Sequence, residues 1–125
     1  MRNRRDVNRI VIQKILEYCN RIETVMVQFE RSFDSYIKDE VFRHACDMCV
    51  IQIGELTTRL TDDLKAQHPE IQWHKIKATR NVYVHDYGNV NINKAWENLT
   101  ENIPELKAQL EQILAAEGEN ENNDA

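Results

Sequence analysis

Apolar residues recur at steps of three and four along two long stretches of this chain, and that spacing constrains its fold more than any other feature. From Asp6 onward, Val7, Val11, Ile15, Tyr18, Ile22, Val25 and Phe29 form one line, which Ile10, Leu16, Cys19 and Met26 broaden into a stripe. A helix turns by ~100° per residue, so these side chains share a face and predict a long amphipathic helix over residues 7–29. A second stripe, Phe42, Ala45, Cys49, Ile53, Leu56, Leu60 and Leu64, predicts another helix over residues 39–66, with Arg43, Asp47, Arg59 and Asp63 off the stripe. Three glycines and two prolines in 125 residues suit long helices better than a turn-rich sheet.

The breaks between these runs set the topology. Between the two helices, Ser32, Asp34 and Ser35 offer turn and cap chemistry while Phe33, Tyr36 and Ile37 can plug the end of a core. His68-Pro69 ends the second helix, because the residue before proline is driven out of the helical region. A third helix then leads from the Glu70-Ile71-Gln72-Trp73 approach to about Tyr87, where Gly88-Asn89 stops it. Asn91 or Asn93 caps a fourth, with Ala95, Trp96, Leu99 and Ile103 as its apolar face, and Pro104 predicts a kink or a break before a short fifth helix. Gly54 inside the second run costs ~1 kcal/mol relative to alanine, which marks a close helix crossing. The expected fold is all-α, an antiparallel bundle of four to five helices in one domain over residues 1–116. Residues 117–125 contain nothing to bury and are expected to form a disordered acidic tail.

No stretch approaches the ~20 apolar residues of a membrane span, and no apolar segment follows the opening MRNRRDVNRI. The odd count of cysteines, Cys19, Cys46 and Cys49, all in helical stripes, suits free thiols in a reducing cytoplasm. His44, Cys46 and Cys49 form an H-x-C-x-x-C run, but no second ligand pair accompanies it, so no metal is expected. The formal charge of -5 includes Glu117, Glu119, Glu121 and Asp124, and without these four acids the remainder carries -1. Arg2, Arg4, Arg5 and Arg9 crowd the opposite end, so the sum does not argue against a phosphate-bearing partner.

Chemistry concentrates in Arg80-Asn81-Val82-Tyr83-Val84-His85-Asp86-Tyr87. Cleaving RNA without a metal needs a base for the 2′-hydroxyl, an acid for the departing 5′ oxygen and a cation for the charge that builds on phosphorus. Histidine fits the first two roles near neutral pH and arginine the third. On one straight helix, however, Arg80 and Tyr87 nearly superimpose while His85 lies roughly 140° away. Three arrangements bring the groups together: a long reach by Arg80, unwinding of the last turn before Gly88, or residues supplied by a second subunit across a two-fold. Glu55 stands one step off its stripe and is expected to pair with Arg59 four residues on.

The R-x-x-x-x-H-x-Y pattern after a tryptophan resembles the signature of the HEPN superfamily, specifically its HepT-like toxins. Ile53-Gly54-Glu55 looks like that family's helix-two motif, Pro69-Glu70-Ile71-Gln72-Trp73 like its P-E-I-x-W approach, and Trp96 with Ile103-Pro104-Glu105-Leu106 like its closing motif. The resemblance covers about residues 8–114, departing after the tyrosine, where Gly88-Asn89-Val90-Asn91 replaces a pattern like Y-F-G-V-D. It implies a HEPN-like homodimer that cleaves single-stranded RNA without metal or cofactor, with Arg80 and His85 catalytic and Asn81, Asp86 and Tyr83 supporting or binding RNA. It also implies a minimal nucleotidyltransferase antitoxin that adenylates Tyr87. The competing reading is a non-catalytic helical dimer that binds nucleotide or RNA, or that only partners a nucleotidyltransferase.

Overall fold

The computed structural model describes the backbone of residues 4–124 and the side chains of residues 6–118. Within them the chain forms helices α1 (Arg4–Gln28), α2 (Phe33–Lys38), α3 (Glu40–Thr57), α4 (Asp62–Gln67), α5 (Trp73–His85), α6 (Ile92–Glu97) and α7 (Ile103–Asp124), and no strand. α1 packs on α3 and α7, and α3 in turn on α5. Ile12, Ile15, Phe42, Cys46, Ile53 and Leu110 are at most 1% exposed and mark the centre of the core. No helix among the described residues is long and apolar enough to cross a membrane. Of the N-terminal arginines, Arg2 and the side chains of Arg4 and Arg5 lie outside the described residues, and Arg9 pairs with Asp6 at 2.9 Å.

Two long helices open the bundle as expected, but the second is shorter than its stripe. α3 stops at Thr57, and residues 58–61 turn before α4 starts. The threonine hydroxyls explain the stop: Thr57 Oγ1 donates to the Gly54 carbonyl at 2.8 Å and Thr58 Oγ1 to that of Glu55 at 2.6 Å, competing with helix propagation. Thr61 caps α4, and buried Asn8 of α1 grips the turn, accepting from the Thr61 N–H at 3.1 Å and donating to its Oγ1 at 3.0 Å. The bend still turns Leu60 and Leu64 inward, which is why one apolar stripe ran through both helices.

The connection between α1 and α3 folds as α2, capped by Ser32, and its aromatics do close one end of the core. Phe33 and Tyr36 lie 5.3 and 5.1 Å from Trp96, and Phe29 stacks on Phe42 at 4.4 Å. α1 ends in a Schellman turn, with Arg31 N–H on the Met26 carbonyl and Glu30 N–H on that of Val27. Its left-handed positions are filled by Glu30 and Arg31, at φ 58° and 53°.

Neither a break nor a short fifth helix appears at Pro104. Asn98–Asn102 makes a π turn that joins α6 to α7, with the Ile103 N–H reaching the Asn98 carbonyl. The widened turn absorbs the missing proline N–H, so the apolar face stays in register from Ala95 to Ile113. α7 then runs on to Asp124, past the Ala116 boundary drawn from composition, because a nucleated helix propagates with one backbone hydrogen bond for each residue added.

Candidate active site on α3 and α5

Gly54 positions the first candidate residue. A Cβ there would overlap the Cβ of Arg80 and come within 2.7 Å of its Cγ, so the glycine is what lets α5 lie against α3 at this point. The guanidinium of Arg80 then bends along α3: Nη2 donates to Glu55 Oε1, and Nη1 to Asn81 Oδ1 at 2.9 Å. Glu55 therefore pairs with Arg80 and not with Arg59, because the crossing at Gly54 brings the cation closer than a same-helix neighbour. The pair is partly shielded, with 23% of the Arg80 side chain and 39% of Glu55 exposed. Arg80 Nε is buried without a hydrogen-bond partner among the described residues.

α5 ends two residues earlier than its apolar pattern and Gly88 suggested. Asp86 leaves the helix at φ -149° and ψ 43°, and Tyr87–Asn89 forms a single 3-10 turn. Asn89 closes that turn through its N–H on the Asp86 carbonyl at 2.9 Å and its side-chain amide on Asp86 Oδ1 at 2.8 Å. No glycine among the described residues has positive φ, so Gly88 does not act as a left-handed cap. Of the three routes to convergence, unwinding of the last turn is thus present.

The unwinding carries Tyr87 back to α3. Its hydroxyl donates to Asp47 Oδ2 at 2.6 Å, its ring lies 6.3 Å from that of His44, and Tyr83 packs edge-on against it, also at 6.3 Å. Asp47, expected off the apolar stripe, is 7% exposed. It stands seven residues before Gly54, ~20° from it around the helix, and so shares the line along which α5 crosses. That alignment with the glycine was the available signal for Asp47, and the stripe of large apolar residues concealed it. Burial pushes the Asp47 carboxyl above its ordinary value, against the lowering effects of the Tyr87 hydrogen bond and of His44 and Arg43. Tyr87 is pushed up to about 12, by desolvation first and then by the hydrogen bond and the charge of Asp47. Tyr83 is buried and its phenol is raised further, chiefly by burial.

His85 stands apart. It is exposed, its side chain has no hydrogen bond or ion pair among the described residues, and it stands ~140° around α5 from Arg80, with Val82 and Val84 39% and 44% exposed near it. Within one chain, then, Arg80, Asn81 and Glu55 form one group and Tyr87, Asp47, His44 and Tyr83 another. The two anchors on α3 are eight residues apart, ~12 Å of helix rise, and His85 joins neither. Two grooves of 190 and 430 Å³ flank α5, and neither is lined by Arg80, His85 or Tyr87. Cys46 and Cys49 are buried thiols raised by burial, Cys46 to about 12, and no group of three or more metal-ligating side chains occurs among the described residues.

Comparison with known proteins finds relatives described as RNases. The chain is 33% identical to a candidate RNase of Caldanaerobacter subterraneus subsp. tengcongensis over 69% of its own length and 77% of that protein. It is 30% identical to the "Probable ribonuclease HepT" of Thermococcus cleftensis over 67% of its length and 76% of that protein. To a candidate RNase of Methanocaldococcus jannaschii it is 27% identical over 96% of its length and 98% of that protein. No solved structure matches the chain. The family model described as "Ribonuclease HepT-like" matches residues 15–113, which takes in the whole α3–α5 seam. The chain belongs to the HepT-like ribonuclease family.

Proposed function

We propose that this protein is a metal-independent endoribonuclease toxin of a two-gene toxin-antitoxin system, acting in the cytoplasm as a homodimer. The observation that carries the reading is His85: an exposed imidazole with no partner among the described residues, five residues beyond a cation that packing holds in place. An imidazole that is to take a proton from a 2′-hydroxyl and return one to a 5′ oxygen must be free to touch substrate. A guanidinium that is to stabilise charge on phosphorus must be fixed. Asn81 holds one arm of Arg80, Asp86 and Asn89 shape the turn beyond His85, and Tyr83 backs Tyr87, which gives the supporting residues their roles.

The same geometry supports the dimer. Arg80 is drawn onto α3 while His85 lies ~140° from it around α5, so a cleft containing both is completed by a second copy, with His85 of one chain set against Arg80 of the other. Adenylation of Tyr87 by a nucleotidyltransferase antitoxin would set a phosphate and a nucleoside at the mouth of that cleft, excluding RNA by charge and bulk. The 45% exposure of Tyr87 supports its access to such an enzyme.

The test is cleavage of single-stranded RNA by the purified protein in EDTA, beside His85→Ala. Cleavage that survives EDTA and is lost in the variant is expected, and activity that needs added metal would sink the reading. Mixing Arg80→Ala with His85→Ala chains then tests the shared cleft, since hybrid dimers keep one intact composite site and recover about one quarter of the wild-type activity. No recovery means that each site lies within one chain.

A further inference from the structure

The contact between Tyr87 and Asp47 has no part in the cleavage chemistry above. It is also more than a tether for the turn needs. A neutral amide or a hydroxyl would hold a phenol equally well, whereas a carboxylate at 7% exposure carries a desolvation cost that a structural acceptor does not require. The two partners also differ in access: Tyr87 is 45% exposed, whereas Asp47 is buried. An exposed nucleophile backed by a buried base at hydrogen-bond distance is the arrangement of an activated nucleophile.

We propose that Asp47 is the base that activates Tyr87 for transfer of a nucleotidyl group. Tyr87 Oη attacks the α-phosphorus of a nucleoside triphosphate, the Oη–P bond forms, the bond from that phosphorus to the bridging oxygen breaks with pyrophosphate leaving, and the phenolic proton passes to Asp47 Oδ2. This rests on the reading of Tyr87 as the modified residue.

The surroundings favour that assignment. A phenol pushed up to about 12 is protonated at neutral pH, so its attack requires a neighbour to remove the proton as the new bond forms. Burial makes Asp47 a stronger base than a surface carboxylate. The other titratable groups facing it are Arg43, His44 and Cys46 on its own helix, Tyr36 of α2, and Tyr83 of α5. Tyr36 and Tyr83 are themselves raised by burial and stay protonated, and Arg43 donates to the Tyr36 carbonyl at 2.9 Å. The His44 ring lies beside the Tyr87 ring with no hydrogen bond to it. Once Tyr87 carries the nucleotide its oxygen has no proton to give, and a protonated Asp47 becomes the donor, so the contact survives the reaction with its direction reversed.

The experiment has two arms. In the first, N-acetylimidazole serves as a partner-free electrophile, and acetylation of the Tyr87 peptide is followed by mass spectrometry in the wild type, Asp47→Asn and His44→Ala. Asparagine keeps the shape and an accepting oxygen but cannot take the proton. Expected is acetylation ~100-fold slower in Asp47→Asn, rising ~10-fold per pH unit, against a wild-type rate that levels off once Asp47 is ionised. Equal rates and matching pH profiles in the wild type and Asp47→Asn overturn the proposal, as does a loss confined to His44→Ala. If Asp47→Asn melts early, the wild-type profile decides by itself, because a rate climbing throughout without levelling means that phenolate attacks unaided. In the second arm the cognate nucleotidyltransferase and ATP are added. Modification of the wild type and Asp47→Asn at one rate overturns the role of Asp47 and leaves the Tyr87 reading standing. An unmodified wild-type Tyr87 overturns that reading and the nucleotide half of the proposal, while the acetylation arm still decides the proton transfer.

Discussion

The two ends of the α3–α5 seam are built on opposite terms. At Gly54 the helices touch backbone to side chain, and Arg80 is fixed from both sides, its stem by close packing and its tip by Glu55 and Asn81. Past His85 the helix lets go, and a 3-10 turn is held to α3 through the hydroxyl of Tyr87 on Asp47, leaving His85 bare. A charge that acts by position gains from rigidity, because it needs no reorganisation when the reaction occurs. Groups that must exchange protons or receive a covalent adduct need access, which a packed helix face denies.

The contrast breaks most sharply through the histidine. His85→Ala should lower RNA cleavage by ~100-fold or more with the melting temperature unchanged, since its side chain is exposed and makes no hydrogen bond among the described residues. Arg80→Ala should cost comparable activity but also lower the melting temperature, because it leaves Glu55 without its partner. Equal thermal behaviour in the two variants would remove the distinction drawn between the ends of the seam. Calorimetry on Gly54→Ala tests the rigid end directly. Alanine gains ~1 kcal/mol of helix propensity, but the overlap with Arg80 involves Cβ and Cγ, which cannot swing away, so a net destabilisation of ~1–2 kcal/mol is expected.

Glu55→Gln should be milder, ~1 kcal/mol or less by chemical denaturation, since the pair is partly exposed and the amide oxygen still accepts from Arg80. A larger loss would mean that the charge, not the packing at Gly54, fixes the cation. The smallest effect is at Asp47. Its folded pKa is raised above the ordinary 3.8, so its ionisation works against folding as pH rises through that range. Asp47→Asn should therefore match the wild type in strongly acidic buffer, and melt slightly above it near neutral pH, the gap opening between the unfolded and folded pKa values. A wild type more stable than Asp47→Asn at neutral pH would show that the charged contact with Tyr87 stabilises the fold.

Periodicity made the bundle and its two long helices legible, because burial of a stripe is a one-dimensional pattern. Gly54 announced the crossing for the same reason, as a cost within a helix that only close packing offsets. The stop at Thr57 was missed because Leu60 and Leu64 continue the stripe across a bend, and the π turn before Pro104 because a widened turn keeps the apolar face in register. Glu55 and Asp47 read as surface charges, since their partners lie on another helix.

What the sequence determined by itself is the helical content and the core stripes, which depend on residue type and local spacing, and the same local spacing singled out Arg80, His85 and Tyr87 as candidates. Tertiary structure alone decided that Arg80 belongs to Glu55, that Tyr87 belongs to Asp47, and that α5 unwinds at Asp86. Each of these depends on where α5 crosses α3, and so on distances between residues at least 25 positions apart in the chain, which no local pattern encodes.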